Sequence, residues 1–342
     1  MKRLLCPVIA LVFGLQGLLC DAQTLSVRPL IGGFPADAGF ALGGAVSRTR
    51  TPGPIAPHAR GSVSIKKYQL YELGAGVPEL GRWLSFDLTS RYRNYPQEDF
   101  WGIGPETPTN ARENYLFEDI DTTATLSTSA HGFRGGVTGG YVLINTGPGR
   151  DEKYPSVPES LLTGPRYKHV GGFLEYNFAD ERTDPHKGGK YSFQWTSYLS
   201  SFQRYAVDIR HFLPVTSTDR IALRMQTLFT HSSSQTEIPF FMLPTVGGTD
   251  TVRGFNQYRF RDRNALIMNS EYRKPLGGFL DVVAFADAGR VFSKSMNLGL
   301  SDLHASYGVG ARVKFGSRVF FGIDVGFSDE GHKLWFRSDH MF

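Results

Sequence analysis

Arg318-Val319-Phe320-Phe321-Gly322-Ile323-Asp324-Val325-Gly326-Phe327-Ser328 reads as a strand with two unlike faces. Val319, Phe321, Ile323, Val325 and Phe327 share one side. Phe320, Gly322, Asp324, Gly326 and Ser328 share the other, because successive side chains of an extended chain point in opposite directions. Tyr307 to Phe315 repeats the pattern, with Tyr307, Val309, Ala311, Val313 and Phe315 opposing Gly308, Gly310, Arg312 and Lys314. Leu84, Phe86, Leu88 and Tyr92 oppose Asp87, Arg91 and Arg93, and Ile221, Leu223, Met225 and Phe229 oppose Arg224 and Gln226. A charge facing lipid at mid-bilayer costs about 2–4 kcal/mol, whereas a charge facing a watery interior costs little. One apolar face and one face carrying Arg, Asp and Lys therefore predict the wall of a transmembrane β-barrel with a polar interior. A soluble sandwich also alternates, with its apolar face inward. The leader, the aromatic content and the end of the chain favour the barrel.

Working outward, alternating segments of about ten residues recur, separated by Gly, Pro, Asn and Asp. Fourteen are counted, starting near Gly39, Ser62, Arg82, Glu113, Phe133, His169, Lys190, Arg204, Arg220, Asn264, Phe279, His304, Arg318 and Lys333. A count of sixteen is open, by two further strands near the N-terminus. Connectors 49–59, 96–112, 146–165, 232–263 and 293–303 are long, and 74–81, 129–132, 215–219, 275–278 and 316–317 are short. Those near Phe202 and Gly331 are short where the alternation asks for long. Short turns on one side and longer loops on the other predict an outer-membrane barrel with both termini in the periplasm.

Composition agrees. Glycine (39) and aromatic residues (13%) are abundant, and the mature region holds no apolar run of about 18 residues, so no spanning helix is expected. The mean hydropathy of −0.23 suits a barrel, in which only alternate residues meet lipid. The net charge of +5 is mild and spread along the alternating segments, unlike the clustered basic face of a nucleic-acid binder, so no nucleic-acid partner is expected.

Residues 1–22 read as a signal peptide: Lys2 and Arg3, an apolar stretch from Leu4 to Leu19, then Cys20-Asp21-Ala22 before Gln23. Gly17-Leu18-Leu19-Cys20 is an alternative lipoprotein box, disfavoured by the bulky Leu19. Both cysteines, Cys6 and Cys20, fall in this leader, so no disulfide or cysteine-ligated metal is expected in the remaining 23–342, read as one barrel domain. Between the leader and the first counted strand lie about 15 residues, too few for a folded periplasmic module.

The most specific stretch is Val246-Gly247-Gly248-Thr249-Asp250-Thr251-Val252-Arg253-Gly254-Phe255, inside the longest connector. Arg261-Asp262-Arg263-Asn264, Glu271-Tyr272-Arg273-Lys274-Pro275-Leu276 and Phe285-Ala286-Asp287-Ala288-Gly289 follow it. This order resembles the bacterial surface antigen superfamily, which includes the core subunit of the barrel-assembly machine and the two-partner-secretion transporters. The resemblance implies that loop 232–263 folds into the lumen. Its motif Val252, Arg253, Gly254 and Phe255 then meets a wall motif of Phe285, Asp287 and Gly289. Physical reasoning points the same way, since a guanidinium inside a barrel needs a carboxylate, which accepts it bidentately. Asp180 to Gly189, with Pro185, resembles the family's periplasmic turn, although Pro and Gly mark an ordinary polar turn equally well. Pro35-Ala36-Asp37-Ala38-Gly39 carries similar punctuation, and Phe100-Trp101-Gly102-Ile103-Gly104 resembles a loop of short family members. Lys333 to Phe342 reads as the last strand, and Leu334, Phe336 and Phe342 resemble the signal read by the assembly machinery, with Ser338 and His340 departing from it. The family's POTRA domains find no room in this reading.

The scattered histidines carry no Gly-x-Ser-x-Gly, His-Glu-x-x-His or phosphate-cradling motif, so no catalytic residue, metal or cofactor is expected. Asp262, Asp287 and Asp324 read instead as lumen-facing partners of arginines. The implied function is translocation or insertion of protein or lipid at the outer membrane. The alternative is a passive channel or structural barrel. Implied partners are outer-membrane lipid, the barrel-assembly machinery during biogenesis, and a periplasmic partner or client protein.

Overall fold

The computed structural model describes residues 25–31, 34, 38–48, 55–80, 83–232, 237–316, 318–337 and 341–342. The predicted leader with Cys6 and Cys20, Pro35 to Asp37, and Ser338 and His340 lie outside the described residues. Sixteen antiparallel strands follow one another around a single sheet in chain order. They are β1 (Leu25–Ile31), β2 (Ala41–Arg48), β3 (Ala56–Ser64), β4 (Gln69–Leu80), β5 (Leu84–Phe100), β6 (Glu113–Ala130), β7 (Phe133–Pro148) and β8 (Arg166–Asn177). Then come β9 (Gly188–Tyr198), β10 (Phe202–Pro214), β11 (Arg220–His231), β14 (Asn264–Pro275), β15 (Leu280–Phe292), β16 (His304–Phe315), β17 (Arg318–Ser328) and β18 (Gly331–Arg337). The two short strands β12 (Thr245–Val246) and β13 (Phe260–Arg261) pair as a separate ribbon inside the long loop between β11 and β14.

The wall is a transmembrane antiparallel β-barrel whose strands alternate as their sequences do. Along β15, Asp281, Val283, Phe285, Asp287, Gly289 and Val291 are buried on the inner side, while Val282, Ala284 and Ala286 are exposed outside. Along β17, Gly322, Asp324 and Gly326 are buried inward. An inner face this polar and an outer face this apolar suit a lipid surround.

Sixteen strands exceed the fourteen counted, and the two additions have identifiable causes. β1 occupies the stretch read as a linker after the leader. The segment starting near Ser62 is in fact a hairpin of β3 and β4, closed by 65–68. That turn has no Gly, Pro, Asn or Asp to mark it. It closes because Lys67 takes φ 68°, the Lys67 N–H donates to the Ser64 carbonyl at 2.9 Å, and the Tyr68 N–H donates to Ser64 Oγ at 3.1 Å. Gly74 and Gly76, which suggested a turn at 74–81, lie inside β4. A Cβ at Gly74 would stand 2.3 Å from the His58 ring, so the glycine makes room for that cross-strand imidazole. His58 accordingly sits in β3 rather than in a loop, and the connector read as 49–59 shrinks and joins the short-turn end.

One end of the barrel carries the long connections 101–112, 149–165, 232–263 and 293–303, with the short 199–201 and 329–330 among them. The other end carries the short turns 131–132, 215–219, 276–279 and 316–317, plus 178–187. At the long-loop end an apolar cluster of Tyr68, Tyr95, Phe100, Tyr115, Phe117 and Phe240 fills the interior. Phe240 comes from the long loop and packs 4.5 Å from Phe100 and 4.9 Å from Tyr115 between ring centroids.

Candidate functional site

The loop between β11 and β14 enters the lumen as the β12–β13 ribbon and turns back at a tip formed by residues 247–259. Gly247 and Gly248, at φ 109° and 108°, supply a backbone conformation that side chains resist, and the chain reverses there. Val246, Val252, Phe255 and Phe260 then pack on Ala265, Ile267 and Val291 of the wall. This apolar footing fixes the depth at which Arg253 is presented.

Arg253 is completely buried. Its Nε donates to Asp287 Oδ2 at 2.8 Å, and its Nη2 donates to Asp287 Oδ1 at 2.8 Å, a bidentate pair. Its backbone N–H also donates to Asp287 Oδ2, at 3.1 Å. Nη1 donates to Glu271 Oε1 at 2.5 Å and reaches Asp324 Oδ2 at 3.5 Å. The guanidinium carbon lies 3.5 Å from the centroid of Phe285, whose ring face attracts the cation. Strand register makes this possible. Asp287 is opposite Asn269, and Glu271 is opposite Phe285, so the acidic and aromatic partners converge on one inner patch. Asn269 Nδ2 donates to Asp287 Oδ1 at 2.9 Å and to the Thr251 carbonyl at 2.6 Å, which orients the carboxylate.

Beyond the first ring of contacts the network widens. Arg312 grips Asp324 through two bonds at 2.7 and 2.9 Å, and Arg273 Nε donates to Glu271 Oε2 at 2.8 Å. Arg337 Nη2 donates to the Thr249 carbonyl at 2.6 Å, and Trp335 Nε1 donates to the Arg253 carbonyl at 2.6 Å. Four guanidiniums thus share three buried carboxylates; one donor each of Arg273, Arg312 and Arg337 also ends on a carbonyl, while Arg273 Nη1 and Arg312 Nε find no acceptor among the described residues. Removing one member would strand a charge in a dry interior, at about 3–5 kcal/mol.

A glycine of the loop tip and one of the wall permit the close approach. A Cβ at Gly254 would stand 2.5 Å from Ser306 Cβ, and one at Gly289 would stand 3.0 Å from Val252 Cγ2. Gly289 therefore acts as a floor for Val252, whereas Phe285 and Asp287 make the polar and aromatic contacts.

A second tie holds the loop nearer its own end. Arg259 pairs with Glu330 at 2.7 Å and donates to the Thr107 carbonyl at 2.6 Å. The Gly104 N–H donates to the Arg261 carbonyl at 2.7 Å, so the segment after Phe100-Trp101-Gly102-Ile103 braces the ribbon. Asp262 forms no ion pair within 4 Å with an arginine among the described residues; the charge of neighbouring Arg263 acts on it from further away. Its Oδ1 accepts the Arg263 backbone N–H at 2.7 Å.

At the opposite end, the turn 178–187 folds inward. Asp180 Oδ1 accepts the N–H groups of His186 and Lys187 at 3.0 and 3.2 Å. Burial pulls the Asp180 carboxyl upward, but these N–H donors prevail and hold it below the usual carboxylate range. Asp184 accepts from Arg220 and, at 3.0 Å, from Lys314. Pro185 is buried, and Gly188 takes φ 93°.

Leu334 and Phe336 point outward from β18, but that strand ends at Arg337 and does not run on to Phe342. Phe342 is buried with Met341 against Phe212 and Ala222 of the inner wall, and its carbonyl accepts Arg273 Nη2 at 3.0 Å. The three residues therefore do not share one face. Sequence reading did not single out Trp335, Asn269 or Arg259. Trp335 and Arg337 do alternate inward, yet nothing in the sequence indicates which carbonyl an indole will find.

Comparison with known proteins accords with this geometry. Residues 168–324, from β8 to β17, match the model of the Omp85 superfamily domain. Over these residues the chain is similar to the Omp85 superfamily domain. No curated protein sequence matches the chain. Among solved structures, this barrel is similar to BamA from Haemophilus ducreyi lacking POTRA domains 1–3, with a TM-score of 0.68 and 15% identity over 92% of this chain and 69% of that one. It is also similar to CdiB from Escherichia coli, with a TM-score of 0.64 and 14% identity over 93% of this chain and 63% of that one. For CdiB from Acinetobacter baumannii the TM-score is 0.52 and the identity 14%, over 92% and 58% of the two chains. At such identities the likeness concerns the fold.

Proposed function

We propose that this Omp85-type barrel resides in the bacterial outer membrane, with its long-loop end outside, and promotes insertion or translocation of protein or lipid. The observation that supports the reading is the loop tip held in the lumen by Arg253 on Asp287, with Glu271 and Asp324 beside it. A loop filling the lumen argues against a simple open pore, and its polar, buried anchor is a feature that a purely structural wall would not need. The same reading makes the chain non-enzymatic.

A passive channel is the second reading. It draws on a luminal cavity of about 430 Å³ lined by Arg91, Arg93, Asp119, Asp121 and residues of the loop, a polar path once the loop is displaced.

The experiment is reconstitution of the purified chain in liposomes. Acceleration of folding of an unfolded outer-membrane barrel is measured beside conductance in planar bilayers. Acceleration in wild type and its loss in Arg253→Gln are expected. No acceleration, together with steady conductance in wild type, would sink the proposal in favour of the channel.

A further inference from the structure

The outer surface of β4–β8 changes character toward the long-loop end, and strand register shows the change row by row. Ala75, Leu88, Ala124, Gly139 and Val170 stand opposite one another across the five strands, a row with no polar side chain. The next row toward the loops is Leu73, Ser90, Thr122, Tyr141 and Lys168, and after it come Tyr71, Tyr92, Ile120, Leu143 and Arg166. Beyond these lie Gln69, Asn94, Glu118 and Asn145, polar at every position. Arg93, Asp119 and Ile144 line the luminal cavity, so Asn94, Glu118 and Asn145, each one residue away, point outside.

Height places this polar row. Glu118 stands twelve residues from Ala130, where β6 meets the short turn. At about 3.4 Å per residue and a strand tilt of about 40°, that lifts it about 30 Å along the barrel axis. The apolar band of an outer-membrane barrel is about 25 Å tall, bordered by aromatic residues. Phe133, beside that turn, is 51% exposed and stacks on Tyr176 at 4.3 Å, which marks the lower border. The row of Glu118 therefore stands just past the hydrocarbon, among the headgroups at the long-loop end.

The row is also internally ordered. Glu118 is buried, and its carboxylate accepts Tyr92 Oη at 2.7 Å, Asn145 Nδ2 at 3.0 Å and Asn94 Nδ2 at 3.4 Å. Three donors meeting one carboxylate hold both amides nitrogen-first, with their Oδ1 acceptors turned away from it. Tyr71 lies nearly parallel to Tyr92, with 6.3 Å between ring centroids. Arg166 and Lys168 are exposed beside these groups, on one face of β8 and about 7 Å apart along the strand. Fixed amides and aromatic rings suit the hydroxyls and faces of a sugar, and the two cations suit phosphate oxygens.

We infer that this face binds the headgroup of a phosphorylated glycolipid, with Arg166 and Lys168 on its phosphate and Asn94 and Asn145 on its sugar hydroxyls. The inference rests on the outer-membrane reading with the long loops outside, and not on translocation.

The test uses the full chain folded in a nonionic detergent, with lipid A, dephosphorylated lipid A and phosphatidylglycerol as probes and adducts read by native mass spectrometry. Wild type is expected to retain lipid A over the other two. Arg166→Gln combined with Lys168→Gln should bind lipid A about tenfold more weakly, since two exposed charge contacts each contribute a few-fold. That variant should also lose the preference for lipid A over its dephosphorylated form. Asn94→Ala combined with Asn145→Ala should weaken lipid A severalfold and leave phosphatidylglycerol binding as in wild type, a split that general loosening of the barrel would not give. Lys274→Gln, an exposed cation of β14 at the short-turn end, should bind as wild type does. Where a double variant loses the heat-modifiable migration of a folded barrel, its single variants are read instead and should each show part of the loss. Equal retention of lipid A and phosphatidylglycerol, or unchanged binding by the variants, overturns the inference. So do dimers of the chain that the variants abolish in place of lipid adducts, which would make the face a contact between copies. Insertion into phosphatidylcholine vesicles, read by heat-modifiable migration, tests the membrane reading separately. Failure to insert overturns both readings, whereas insertion without any lipid preference overturns this inference alone.

Discussion

Gly326 of β17 lies against the Arg253 carbonyl: a Cβ at Gly326 would stand 2.4 Å from that oxygen and 2.7 Å from its carbon. The obstacle is backbone, held by the Trp335 indole, so it cannot swing aside as a side chain would. Gly326→Val should therefore push the loop tip off the wall. The expected cost is about 1–3 kcal/mol, as for other overpacked sites. It would appear as a lower temperature for the shift between folded and unfolded gel mobility. Gly278→Ala, where a Cβ meets nothing within 4 Å, serves as the control. Equal transition temperatures for the two variants would contradict the tight fit.

Reversing the Arg253–Asp287 pair should not restore it. Either single reversal leaves an unmatched buried charge and should destabilise by about 3–5 kcal/mol. In the double variant, however, an aspartate at 253 would face Glu271, now 2.5 Å from Nη1, and Asp324 at 3.5 Å. Asn269 would also lose the carboxylate to which it donates. Recovery in the double variant is expected to be partial, and Asp287→Asn alone should be milder than Arg253→Asp because Glu271 and Asp324 still neutralise the arginine. Denaturant midpoints of the four proteins decide this. Complete recovery would mean that Glu271 and Asp324 play no part.

These relationships show what the sequence could reveal. Alternation in β15–β17 is legible because lipid and lumen demand opposite residues at successive positions, so Asp287 and Asp324 were readable as inward. The loop motif was readable from its order along the chain. The hairpin at Ser64–Gln69 was not, because it closes with a left-handed Lys67 and a serine side chain instead of Gly or Pro. The inward turn of Phe342 was also hidden. Leu334 and Phe336 alternate as a continuing strand would, and only the packing of Phe342 on Phe212 and Ala222 reveals the departure. Arg259 escaped notice because its partners, Glu330 and Thr107, lie on connectors far away in sequence.

Arg259 offers a way to loosen the loop without touching the anchor. Its side chain is 2% exposed and ties the loop to two other connectors. Arg259→Ala should leave the wall intact yet speed proteolytic cleavage within 232–263. Because the pair is shielded from solvent, raising the salt concentration should not reproduce the effect in wild type. Cleavage at wild-type rates, or salt producing the same acceleration, would show that Arg259 does not restrain the loop.

Acid should weaken the turn at 178–187 through Asp180. Its carboxyl is held below its ordinary value of 3.8, with the His186 and Lys187 N–H groups favouring the ionised form over the opposing effect of burial. A depressed folded-state value means that the stabilisation is fully present above the ordinary value and is lost as pH falls through the depressed one. The group is largely exposed, so the effect is modest and best read as a difference in slope. Between neutral pH and about pH 3, wild type should lose more of its thermal transition temperature than Asp180→Asn, whose amide accepts the same bonds without titrating. Matching acid slopes in the two proteins would remove Asp180 from the account and assign the acid sensitivity to the luminal carboxylates.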